Sequence, residues 1–140
     1  MNAAAVESKM VEVIGDAQRP VAYIIRGEML PDTTTFVTPS HLAQQVGFVS
    51  YPAGGVIARH RHRPIERKLT GTSEVLVVRK GWCEVDLFDD LGRKAATREL
   101  KTGDVLVLVS GGHGFRMLED TVLLEVKQGP YTGLDEKEHF

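Results

Sequence analysis

His60 and His62 stand one residue apart in the stretch GGVIARHRHRPIERK, residues 54 to 68. In an extended strand, residues two apart leave the same face, so both imidazoles would project together with Val56 and Ala58 behind them, while Arg59, Arg61 and Arg63 point the other way. Two imidazoles can share one divalent ion at ~2.1 Å when neighbouring strands bring further ligands. The sequence offers Glu66, Glu74 and His113 for that purpose. Glu74 opens EVLVVRKG, where alternation sets it on the face of Leu76 and Val78, at the mouth of an apolar cavity. His113 follows Ser110-Gly111-Gly112, where glycines let the chain turn tightly, and Phe115 and Met117 share its face as pocket lining. Glu66, beside Arg67 and Lys68 in a segment with Pro64 and Gly71, reads as a solvated loop. Glu125 and Lys127 share a face in LLEVKQGPY that is either cavity or surface, and Tyr131 lies beyond, where packing at the rim is expected.

These side chains need strands to position them. Short runs rich in Val, Ile, Leu, Tyr and Phe, punctuated by Gly and Pro, predict strands at 21–26, 46–51, 56–62, 74–80, 82–88, 96–100, 104–109, 114–118 and 121–127. DDLGR (89–93) and KTGD (101–104) read as turns. PSHLAQQVG is read as strand, although Ser40 and Gly47 could cap two helical turns. The expectation is an all-β sandwich or small barrel with less than about a tenth of its residues in helix. A chain of 140 residues suits a single domain, placed at 19–131 between a flexible segment at 1–18 and a polar tail at 132–140.

A net charge of −2 lacks the basic footprint of a general nucleic-acid binder, so small molecules or proteins are the expected partners. No apolar run approaches the ~20 residues of a membrane-spanning helix. Cys83 is the single cysteine, has no internal disulfide partner, and alternates with Val85 and Leu87 as core filler. The N-terminal residues lack the basic start and apolar centre of a signal peptide, and a cytoplasmic location is expected.

The arrangement resembles the cupin superfamily. Its first motif, a glycine, five residues, H-x-H, then a glutamate and six residues later a glycine, is matched by Gly54, His60, His62, Glu74 and Gly81. The second motif is matched in part by Gly103, Gly111 and His113. Eleven residues separate His62 from Glu74 where the family has three or four, and Val109 or Ser110 stands where a turn proline is expected. Glu66 has the usual spacing from His62 but no glycine follows it, so Glu74 is preferred and 63–73 is read as an enlarged loop at the pocket mouth.

The resemblance covers residues 46 to 127 and is closest to small cupins associated with polysaccharide-biosynthesis gene neighbourhoods. It implies a cupin jelly-roll (double-stranded β-helix) barrel holding a divalent transition metal on His60, His62, Glu74 and His113. Imidazole and carboxylate suit iron, manganese, nickel, zinc, copper and cobalt alike. The expected activity is a small-molecule metalloenzyme of dioxygenase or isomerase type, with Glu74 as ligand or base. Two alternatives stand beside it: a metal-free sugar-nucleotide isomerase or epimerase using His60 or His62 as proton shuttle, and a non-catalytic module that binds or senses a small ligand. A shortage of pocket cations for a diphosphate weighs against the first. A homodimer is expected by analogy with small cupins and from the outward strand face carrying Ile57, Arg59, Arg61 and Arg63.

Overall fold

β-Branched and aromatic residues alternate with polar ones through most of the chain, and the strands follow that alternation. The computed structural model describes residues 10–133 and 136–140. They form β1 (Val11–Asp16), β2 (Arg19–Ile25), β3 (Thr35–Phe36), β4 (Gly47–Phe48), β5 (Glu74–Lys80), β6 (Trp82–Phe88), β7 (Lys94–Lys101), β8 (Val105–Leu108), β9 (Gly112–Met117) and β10 (Val122–Lys127). No helical element occurs among the described residues, so the protein is all-β. None is long and apolar enough to cross a membrane as a helix.

A five-stranded sheet has the order β1-β2-β8-β5-β10, and a three-stranded sheet the order β7-β6-β9; β3 and β4 pair separately. Ala22, Ile24, Leu76, Val78, Leu106 and Leu108 of the large sheet meet Cys83, Val85, Leu87 and Leu100 of the small one in a dry core. The other face of the large sheet is also buried. There Tyr23, Ile25 and Val107 pack under Val37, Val46 and Phe48 from the β3–β4 ribbon and its flanks. This double burial explains why β2 is an unbroken apolar run after Arg19.

The sandwich is fastened on one flank and open on the other. On the fastened flank β1 and β7 are joined by a bidentate pair, Arg98 Nη2 and Nε on Glu12 at 2.8 and 2.9 Å. Beside it, the buried Asp104 carboxylate accepts hydrogen bonds from Gly27 N–H (2.9 Å), Lys101 N–H (2.8 Å) and the Arg26 guanidinium (3.1 Å). On the open flank β9 and β10 are both edge strands, and the two sheets do not join there into a closed barrel.

Several expectations change. The predicted strand at 56–62 is not formed; residues 51–72 run without strand pairing, every one exposed. Alternation marks a segment able to pair, and among the described residues this one has no strand partner. PSHLAQQVG is neither strand nor helix but a run of turns, closed by the Gln45 amide on Pro39 O (2.9 Å) and Leu42 O (2.8 Å). Of the stretch read as flexible, residues 1–9 lie outside the described ones, whereas Val11–Asp16 is strand β1, its Ile14 in the core. The tail is anchored as well: the Phe140 ring meets Phe88 edge to face, centroids 5.2 Å apart.

Candidate functional site

Strand register brings Glu74 and His113 to one end of the molecule. Glu74 lies opposite Leu108, the last residue of β8, and five residues later His113 begins its run along β6 opposite Leu87. The turn between them needs glycine: Gly111 has φ +71°, and a Cβ there would collide with Phe88 O. His113, Phe115 and Met117 face the core side of the small sheet, being paired with the buried Leu87, Val85 and Cys83. The His113 and Phe115 rings meet edge to face with centroids 5.9 Å apart. Met117 is half exposed at the edge.

Glu125 and Lys127 join them. They lie opposite Leu76 and Glu74 in the β5–β10 ladder, on the inner face of the large sheet at its open edge, Lys127 half-buried and Glu125 exposed. Glu74 is half-buried, and burial first, then a hydrogen bond and charge repulsion from Glu125, push its carboxyl above the ordinary carboxylate range against the pull of Lys127 and Lys137. Lys127 Nζ is 3.9 Å from Glu125 Oε2 and 5.9 Å from the centre of the Tyr131 ring. Tyr131 itself is exposed, a partner of Lys127 rather than a packing residue. His113 keeps one side open to solvent, while the wall behind it lowers its pKa by desolvation; Glu125 opposes that shift and Lys137 adds to it. Burial therefore favours the neutral imidazole, which has a lone pair to offer.

His60 and His62 lie elsewhere, on the exposed segment. Their rings stand together as the alternation predicts, centroids 5.4 Å apart and edge to face. His60 Nδ1 is 2.8 Å from Ala58 O. A carbonyl only accepts, so this contact puts a proton on Nδ1 and leaves Nε2 on the far side of the ring. Glu66 is exposed on the same segment. Among the described residues, no three His, Cys, Asp or Glu side chains are grouped to hold a metal ion within one chain. Of the expected ligands, His60 and His62 stand together on the exposed segment, while Glu74 and His113 lie on the sandwich body at the end where strand register places both.

Lys137, in the stretch read as a plain polar tail, is the site residue that sequence reasoning missed; its charge reaches both Glu74 and His113. No periodicity places a residue beyond the last strand. A cleft of about 470 Å³ adjoins this end of the molecule, lined among others by Leu42, Gln44, Thr70, Ser73, Ser110 and Gln128. Gln128 ties it together, donating to Gln44 Oε1 and Ser73 Oγ, both at 2.9 Å. Comparison of the chain with known protein families, curated proteins and solved structures finds no match.

Proposed function

We propose that this chain is a metal-binding protein of cupin type acting on a small molecule, with His60, His62, Glu74 and His113 holding one divalent transition metal. The observation that carries the reading is the strand register that brings Glu74, Glu125 and His113 to one end of the molecule. A carboxyl whose proton affinity Glu125 raises, at the same end of the molecule as an imidazole whose neutral form burial favours, makes a place where a cation relieves repulsion. The donor set, nitrogen and oxygen without thiolate, fits iron, manganese, nickel, zinc, copper or cobalt. Such an ion supplies Lewis acidity or electron transfer to a substrate chelated through neighbouring oxygens, which suits dioxygenase or isomerase chemistry. Around it, Phe115 and Met117 offer an apolar wall, Glu125 is placed to take or return a proton, and Lys127 and Lys137 would meet a substrate's negative charge.

One observation favours a second reading. Lys127 and Lys137 supply the cations whose absence argued against a diphosphate, so a metal-free sugar-nucleotide isomerase or epimerase with His113 as proton carrier stands as the alternative. Elemental analysis of protein purified without chelator separates the two: a stoichiometric metal supports the first reading, and metal-free protein with bound nucleotide sugar the second. Glu74→Ala should empty the metal site and Glu66→Ala should leave it filled. The reverse result would move the carboxylate to Glu66.

A further inference from the structure

The expected ligands are divided between two pieces of structure, each without a strand partner on one side among the described residues. The body carries Glu74 and His113 at a flank where β9 exposes an unpaired strand edge, which invites another strand. Residues 51–72 form an arm that is wholly exposed and pairs with no strand edge among the described residues. Apolar side chains are open to water on both pieces: Val56 is 80%, Ile57 56% and Ile65 65% exposed on the arm, Met117 49% and Val126 50% at the edges. Surfaces of this kind are covered in stable proteins. Charge is complementary too. Arg59, Arg61, Arg63, Arg67 and Lys68 against the single Glu66 give the arm a net charge of +4, leaving −6 on the rest of a chain whose total is −2.

We propose that the arm is exchanged between two copies of this chain, its residues 54–62 adding as a strand to the β9 edge of the partner. His60 and His62 of one copy then join Glu74 and His113 of the other. The inference rests on the metal reading above for its ligands, but the exchange itself rests on the free edge and the free arm. Neither copy has a complete set alone, so the metal site exists only in the dimer. On the added strand the arginines take the face opposite the histidines, which leaves the imidazoles the side facing the core.

The test pairs two full-length variants, each with half of the ligand set removed: His60→Ala with His62→Ala, and Glu74→Ala with His113→Ala. Zn²⁺ alone is the probe, measured by elemental analysis after equal amounts have been unfolded together, refolded and dialysed. The wild type should hold about one ion per chain and each variant about none, whereas the mixture should recover about a quarter of an ion per chain, since half of the dimers are mixed and each mixed dimer rebuilds one site of two. A wild type that binds Zn²⁺ with no recovery in the mixture overturns the exchange. A wild type that binds none overturns the metal reading instead. The exchange is then decided by sedimentation of the wild type and of Ala58→Pro, which removes an N–H from the arm without touching the core. A dimer that Ala58→Pro dissociates upholds it; a monomeric wild type, or a dimer indifferent to the proline, overturns it.

Discussion

Asp104 and Glu74 are carboxylates at opposite ends of the same strand pair, β8 and β5, and they are treated in opposite ways. Asp104 is 6% exposed, and two backbone N–H groups and a guanidinium satisfy it. Glu74 is half-buried and is given another carboxylate, Glu125, as its nearest companion. A fold gains from the first arrangement and loses from the second. The contrast separates an end built to hold the two sheets in register from an end where two carboxylates stand together with only Lys127 and Lys137 to offset them.

The largest expected effect breaks the comparison at its stable end. Asp104→Ala strands two N–H donors and Arg26, and should cost about 3 kcal/mol in urea unfolding. Gly111→Ala, forcing a side chain into a left-handed turn against Phe88 O, should cost about 2 kcal/mol and also move His113, so its loss of metal should exceed what unfolding explains. Glu74→Gln sharpens the contrast from the other side: in chelated protein it relieves repulsion from Glu125, and the thermal midpoint should hold or rise by about 2 °C. The smallest effect lies on the fastened flank. Arg98 holds the Glu12 carboxyl below its ordinary 4.5, and a pair with both partners more than a third exposed contributes well under about 1 kcal/mol. Because the folded pKa is the lower one, that contribution is present above 4.5 and fades as pH falls through the folded value. Comparing acid unfolding of the wild type with Arg98→Met should show the difference vanishing at low pH.

Most of the strand framework was readable because alternation and apolar runs report burial directly. β5 and β6 begin and end where the pattern places them. β1 was missed, since a six-residue stretch with one core contact, Ile14, carries little signal. The segment 56–62 shows the limit of the method. Its period-two pattern is real, as the paired His60 and His62 rings attest, but a pattern says that a strand can form and not which chain supplies its neighbour. That Glu74 and His113 lie at one end of the molecule was legible from their places at a strand start and after a glycine turn. The roles of Glu125 and Lys127 needed the β5–β10 register, and Lys137 needed the path of the tail.

The order in which β2 acquires neighbours has a consequence for the time course of folding. Its hairpin with β1 is local, whereas its pairing with β8 joins residues eighty or more positions apart, Ile25 with Val105 and Ala22 with Leu108. On a ribosome this central strand stays half-built until nearly four-fifths of the chain has been made. The arm emerges earlier still: His62 is synthesised fifty residues before Gly112 opens β9. Closure entropy for such distant pairings places the protein among slow, topology-limited folders, and the basic arm is made before the β9 edge exists.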